Sequence, residues 1–193
     1  MTMVRNFAHL ILITFAFSFS AYAQDGVPEP DSYRTDDYRS AVPATLAGAR
    51  VLGTEETEAI WRSGTGVFID VLPRPPKPPN LPAGTVWRDK ARLNIPGSIW
   101  LPDTGYGKLA ASTEDYLRRG LTRGTSGNSA KLLVIYCQAD CWMSWNAAKR
   151  ALSYGYSNVA WYPEGTDGWQ RANLPLAESQ PEPRRGEEAV IPR

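Results

Sequence analysis

Short apolar runs alternate with segments of helical character through the middle of this chain. Val67-Phe68-Ile69 between Gly66 and Asp70, Leu132-Leu133-Val134-Ile135-Tyr136, and Val159 to Tyr162 carry no regular polar interruption. Each therefore reads as a strand buried on both faces. Arg50-Val51-Leu52 is a shorter strand candidate, and Ile95-Pro96-Gly97-Ser98 reads as a turn leading into a strand near Ile99-Trp100-Leu101. Between these runs, a helix is expected from Thr54 to Arg62, capped by Thr54, with Glu55 and Glu56 against its positive end. A second opens at Ser112, where Asp115 completes a capping-box pattern, and runs to about Arg119. A third spans Trp145 to Tyr154, with Ala148, Ala151 and Leu152 on one face, and is stopped by Gly155. Arg123 to Ser129 and Pro163 to Gly168 read as loops, and Pro73 to Pro82 as an extended polyproline-like surface segment. The alternation predicts an α/β domain: a mostly parallel central sheet with helices on both faces. In such sheets the functional crevice lies beyond the carboxyl ends of the strands, where Asp70 and Cys137 both fall.

The chain ends differ from this pattern. Residues 1–23 combine Arg5, an apolar core from Leu10 to Phe19 and the small-x-small signal Ala21-Tyr22-Ala23. They are expected to be a cleavable signal peptide, with export to a periplasm and no membrane association afterwards. Residues 24–43 are polar, with interspersed Pro, and are expected to form an exposed arm. The domain proper is expected over residues 44–178, followed by a charged, disordered tail over 179–193.

Composition removes several functions. Without residues 1–23 the basic and acidic residues are equal in number, so no basic face suggests nucleic acid. The single histidine, His9, lies inside the signal segment. The mature chain then has no Ser-His or Cys-His dyad, no His-ligated metal and no c-type haem motif, and neither metal nor cofactor is expected.

What chemistry remains is concentrated in Lys131–Ser144. Both cysteines lie there, Cys137 at the end of an apolar strand and Cys141 four residues on, before a helix. A thiol between a strand end and a helix start is expected to meet converging backbone N–H groups and a positive helix end, which lower its pKa. Cys137 is the candidate nucleophile and Cys141 its partner thiol. The candidate substrate-binding residues are the loop neighbours Gln138, Ala139, Asp140, Trp142, Met143 and Ser144, with Asp70 at the adjoining strand end. Trp100, Trp145, Trp161 and Trp169 read as packing, and Trp142 as a functional rim residue. A buried structural cysteine is the plain alternative for Cys137, and an adventitious disulfide for the pair. A reversible redox pair is a further reading.

These residues resemble the rhodanese-like family. The resemblance rests on the strand ending in Asp70, the Ile95-Pro96-Gly97-Ser98 turn, Ile135-Tyr136-Cys137 with its helix, Gly155-Tyr156, and Gly165 to Trp169 followed by Asn173-Leu174-Pro175. It implies a rhodanese fold from about Leu46 to Pro175 and a persulfide on Cys137 that is passed to a thiophilic acceptor. Cys141-Trp142-Met143-Ser144-Trp145-Asn146-Ala147-Ala148-Lys149-Arg150, with Trp161-Tyr162-Pro163 and Trp100-Leu101-Pro102, is similar to a narrower set. These are the rhodanese-like proteins named for a CxxCW motif and associated with pyrroloquinoline quinone (PQQ)-dependent catabolism. Here the cysteines are one residue further apart than that name suggests. The resemblance implies service to a periplasmic quinoprotein alcohol dehydrogenase system, or a sulfur or thiol donor protein as partner. Thiol–disulfide exchange and a non-catalytic partner-binding role are the rival functions. Thiosulfate-using rhodaneses usually carry a basic residue late in the loop, where this chain has Trp142, and Asp140 adds negative charge. That departure disfavours a dianionic donor.

Overall fold

The computed structural model describes residues 26–75, 78–85 and 91–185. Residues 1–23, expected as a signal peptide, two residues of the expected polyproline-like segment (76 and 77) and the last eight residues of the predicted tail lie outside it. In chain order the elements are β1 (Arg50–Val51), α1 (Thr54–Ser63), β2 (Val67–Asp70), β3 (Arg92–Asn94), β4 (Ile99–Trp100), α2 (Ala111–Thr125), β5 (Leu133–Tyr136), α3 (Trp142–Ser153), β6 (Val159–Tyr162), α4 (Gly165–Arg171) and β7 (Ala177–Ser179).

The apolar runs become a five-stranded, wholly parallel sheet of order β1-β6-β5-β2-β4. β5 lies at its centre, with Ile135 in register between Ile69 and Trp161. Alternate residues of each strand face opposite ways, and each face acquires its own core. Ile69, Leu133, Ile135, Val159 and Trp161 pack with Tyr116, Leu117 and Leu121 of α2 and Trp145, Ala148 and Ala151 of α3. Phe68, Val134, Tyr136, Ala160 and Tyr162 pack with Ile60 of α1 and Trp169 of α4. The fold is the expected α/β architecture with helices on both faces. β3 and β7, for which the sequence has no apolar run, form a separate antiparallel pair.

Helix boundaries depart from expectation for identifiable reasons. α2 continues past Arg119 through Gly120 and Gly124 to Thr125, into the first residues of the segment read as a loop. A Cβ at Gly120 would lie 2.5 Å from Leu101 Cδ2, and one at Gly124 2.8 Å from Val67 Cγ1. The glycines cost helix propensity but let α2 approach the sheet closely, and that packing decides. α4 forms where a loop was expected, and its Gly165 is similarly confined. α3 begins at Trp142, three residues early, with Cys141 at the N-cap. Gly155 does end it, at φ 90°. Neither Thr54 nor Ser112 makes a capping hydrogen bond; Gly53 and Ala110 occupy the N-cap positions.

Residues 26–43, within the segment expected as an exposed arm, instead form a strap over α3 and the cysteine loop. Arg34 N donates to Asn146 Oδ1 and Asn146 Nδ2 to Arg34 O, both at 2.9 Å. Trp142 N donates to Tyr38 O at 3.0 Å, Trp142 Nε1 to Ser40 Oγ at 3.1 Å, and Gly107 N to Tyr38 Oη at 3.0 Å. Val27, Tyr38 and Val42 pack on the core of that face. The polar composition that suggested a free arm belongs to residues whose hydrogen bonds are made to the domain. Residues 179–185 of the predicted tail are also held. Tyr116 Oη donates to Glu182 O at 2.6 Å, Arg184 Nη2 to Pro102 O at 3.2 Å, and Arg123 pairs with Glu182.

Candidate active site

β5 runs straight into the thiol loop, and α3 begins where the loop ends. Asp140, at φ 48°, makes the turn that brings Cys141 to the helix N-cap; aspartate tolerates this left-handed conformation better than most residues. The loop is tethered from behind by a buried polar chain. Arg92 Nε donates to Asp70 Oδ2 at 2.8 Å, and Arg92 Nη2 to the Cys137 carbonyl and to Thr166 Oγ1, both at 3.2 Å. Thr166 N donates to the same carbonyl at 3.1 Å. Asp70 and Cys137 are thus brought together, as their strand-end positions suggested, but through Arg92. Gly165 makes this approach possible: a Cβ there would lie 2.6 Å from Cys137 O. Ala139 N donates to Asp167 Oδ2 at 3.2 Å.

The two sulfurs have opposite environments. Cys137 is wholly buried, and its Sγ faces two carbonyl oxygens, Cys141 O at 3.4 Å and Gln138 O at 3.6 Å. Carbonyl oxygens accept a thiol proton and repel a thiolate. Burial, followed by interaction with Cys141, pushes the Cys137 thiol well above the usual range. The expectation of a lowered Cys137 pKa is therefore corrected. Three of the amides expected to converge on it go elsewhere, Trp142 N to Tyr38 O, Ala139 N to Asp167 and Thr166 N to the Cys137 carbonyl, while the lowering influence of the Ser144 side chain and the Gln138 backbone is outweighed by burial and Cys141.

Cys141 has the character expected of Cys137. The influence of Cys137, then of the Met143 amide and Arg39, outweighs desolvation and brings the Cys141 thiol down to about 6. A thiolate is populated at neutral pH, at the N-terminus of α3 where the helix end is positive. Tyr106 stands on the same side. Its hydroxyl is raised first by burial and then by Asp103, Tyr38 and Cys141, and its ring meets Tyr38 edge to face at 5.3 Å.

The predicted substrate-binding residues divide. Asp140 is exposed, and Gln138 and Ala139 are half-buried. Trp142, Met143 and Ser144 are buried. Trp142 is 1% exposed, edge to face with Trp145 at 5.5 Å and under Arg34, so it is a packing residue and not a rim. Ser144 Oγ donates to Cys141 O at 3.2 Å and accepts from Trp161 Nε1 at 3.0 Å, a structural link. Asp70 is fully buried, with Oδ1 taken by Leu72 N at 2.9 Å and Oδ2 by Arg92, so it positions the loop and does not meet substrate. Burial pushes its carboxyl up to about 6 against the attraction of Arg92 and the Leu72 amide.

Sequence reasoning missed Arg39, Arg92, Tyr106 and Thr166. Arg39, Arg92 and Tyr106 lie far from the cysteines in the chain, in segments without periodicity or motif, and Thr166 lies within the Gly165 to Trp169 mark of the resemblance, which does not by itself reveal its contact with the loop. Among the described residues no group of His, Cys, Asp and Glu could hold a metal ion, and no helix is long and apolar enough to cross a membrane.

The chain matches the rhodanese-like domain family over residues 64–172. No curated protein matches it. Among solved structures, the thiosulfate sulfurtransferase from Pseudomonas aeruginosa is 19% identical, with TM-score 0.45, over 69% of this chain and 21% of that one. This chain thus spans about a fifth of that protein's length. The polysulfide-sulfur transferase homodimer from Wolinella succinogenes is 17% identical, with TM-score 0.44, over 68% of this chain and 80% of its own. An uncharacterized protein from Saccharomyces cerevisiae is 22% identical, with TM-score 0.38, over 64% and 92%.

Proposed function

The chain belongs to the rhodanese-like domain family, and from that premise we propose that it transfers sulfane sulfur through the Cys137/Cys141 loop. The observation that carries this reading is the position of Cys141 at the α3 N-cap, where the helix end is positive, beside a Cys137 thiol whose own sulfur faces carbonyl oxygens. A sulfur so held is the attacking anion. It forms a bond to the outer sulfur of a sulfane-sulfur donor as the donor's own bond to that sulfur breaks. The leaving group departs with the electron pair, and Cys141 becomes a persulfide. An acceptor thiolate then takes the terminal sulfur and returns the Cys141 thiolate. The first attack is assigned to Cys141 and not to Cys137, because the Cys137 thiol points at carbonyl oxygens. Cys137 acts as hydrogen-bond donor and partner thiol. Both sulfurs are nearly inaccessible, Cys141 at 2% exposed, so the donor enters as the covering strap moves.

The test is to incubate reduced protein with thiosulfate, a polysulfide and a low-molecular-weight persulfide, then map the cysteine peptides by mass spectrometry. One added sulfur on Cys141, absent from Cys141→Ser, is expected. No adduct on either cysteine with any donor removes sulfur transfer.

The hydrogen-bonded thiol pair also suits thiol–disulfide exchange, with the Cys141 thiolate attacking a partner disulfide and Cys137 resolving the mixed disulfide. A Cys137–Cys141 couple that never forms under redox titration eliminates that reading.

The narrower proposal is that the chain is one of the CxxCW-motif proteins associated with PQQ-dependent catabolism. It would act in the periplasm, beside a quinoprotein alcohol dehydrogenase system or a sulfur or thiol donor protein. Its support is in the sequence: the Cys141 to Arg150 match and the signal-like segment 1–23. Growth on alcohols as sole carbon source, compared between the wild-type strain and one carrying Cys141→Ser, tests it; equal growth counts against it.

A further inference from the structure

Two largely buried guanidinium groups, Arg92 and Arg150, are engaged unequally. Arg92 reaches the Asp70 carboxylate, the Cys137 carbonyl and the Thr166 hydroxyl. Arg150, in the last turn of α3, is only 5% exposed, and its side chain makes one hydrogen bond, Nη2 to Gly107 O at 2.6 Å. Among the described residues it has no carboxylate partner, and its buried Nη1 has no acceptor. A cation taken out of water is costly unless an anion meets it. This guanidinium borders a cavity of about 310 Å³ where α2, α3 and the strap come together. Tyr33 of the strap covers it, the ring centroid 4.1 Å from Arg150 Cζ. Glu114 and Arg118 of α2 and Tyr154 just past α3 line the same cavity.

We propose that this cavity is a second ligand site, taking a small polar monocarboxylate whose carboxylate pairs with Arg150. The inference is independent of the sulfur-transfer reading. Cys141 stands at the opposite end of α3, roughly 14 Å away along the helix axis.

The charges of the lining select the ligand. Arg118 and Arg150 stand against the single carboxylate of Glu114. That carboxylate is already engaged: Oε1 accepts from Arg118 Nη2 at 2.9 Å and from the Tyr154 hydroxyl at 3.2 Å. Its attraction reaches Arg150 through space, without a hydrogen bond between them. One positive charge is left over, which a monoanion neutralises and a dianion overshoots. A carboxylate also matches the planar guanidinium, and Arg150 Nη1 is the donor left to meet it. The opposite wall is already built, with Arg118 Cζ stacked 3.4 Å from the Tyr154 ring centroid. Small-molecule pockets begin at about 300 Å³, so the ligand has few heavy atoms. The lining is mainly polar, which suits a hydroxy or oxo acid better than a fatty one. Tyr33 closes over the guanidinium from the strap, so its ring turns aside to admit the acid and then covers the pair.

The experiment uses the full mature chain, labelled with nitrogen-15 and titrated at neutral pH with glycolate and with lactate. Glycolamide serves as the uncharged control and inorganic phosphate as the more highly charged one. The arginine Nε–H signals are followed by NMR, with the Arg150 signal assigned by its absence from Arg150→Met. Both acids should shift the Arg150 signal saturably, and glycolamide should not. In Arg150→Met the Arg118 signal should report binding about tenfold weaker or more, the loss of a charge-assisted hydrogen bond. Wild-type affinity in folded Arg150→Met overturns the proposal. Should that variant fail to fold, Arg118→Gln decides, since the Arg118 side chain is 51% exposed. Removing one of the two cations should weaken binding about threefold, and unchanged affinity there overturns the proposal as well. So does the absence of a saturable Arg150 shift with either acid, equal binding of glycolamide, or tighter binding of phosphate.

Discussion

Arg92 hangs on Asp70, Nε to Oδ2 at 2.8 Å, and the far end of the same guanidinium holds the carbonyl of Cys137. The reactive loop is therefore anchored by a buried ion pair between β3 and the end of β2. Asp70 enters the fold with its carboxyl raised to about 6 from an ordinary 3.8, because burial outweighs the attraction of Arg92. Between those values the folded chain retains a proton that the unfolded chain releases. Stability from this group is thus highest below about pH 4 and declines as pH rises to about 6. Urea unfolding across that window should show the decline in wild type and not in Asp70→Asn. A shared slope would mean that the carboxyl titrates normally.

The thiol pair gives the opposite slope at higher pH. Cys141 is lowered to about 6 from 9.0, so the folded state loses its proton first and gains stability as pH rises between them. That gain is lost as pH falls through about 6. Cys137→Ala removes the largest influence that lowers the Cys141 thiol and should raise the alkylation midpoint, while Cys141→Ser should abolish alkylation near neutrality. A Cys141→Ser protein that still reacts rapidly at pH 7 would transfer the thiolate to Cys137.

Gly165 is irreplaceable on two counts, a positive φ of 51° and the Cys137 carbonyl 2.6 Å from where a Cβ would stand. Gly165→Ala should cost about 1–3 kcal/mol in thermal or denaturant unfolding and slow alkylation of Cys141 by displacing the loop. Unchanged stability and reactivity would show that α4 does not set the loop's position.

Gly120 pits local preference against packing. Valine is a better helix former, yet a Cβ there meets Leu101 Cδ2 at 2.5 Å. Gly120→Val should destabilise by about 1–3 kcal/mol despite its propensity gain. A more stable variant in chemical denaturation would contradict the close approach of α2 to the sheet.

Trp142 distinguishes core from rim. Buried against Trp145 and capped by Ser40, it should cost about 3–5 kcal/mol when replaced by alanine, and a residue on an open binding rim would cost far less. Denaturant midpoints of the purified variant decide between them.

The sheet was legible in the sequence because a strand buried on both faces must be continuously apolar. Val67 to Asp70, Leu133 to Tyr136 and Val159 to Tyr162 announced themselves by that requirement. The loop was legible because both thiols lie within it, and Gly155 was legible because few other residues accept its conformation. Tertiary structure decided the rest. Gly120, Gly124, Gly165 and Gly168 hid α2's second half and α4, since close packing favours glycine where helix propensity does not. The strap looked free because its partners, among them Asn146, Trp142 and Gly107, lie far away in the chain, which no local pattern encodes. Which sulfur bears the charge was likewise beyond the sequence: Cys137 and Cys141 share one loop, and only the direction of surrounding amides, carbonyls and Arg39 tells a thiol from a thiolate.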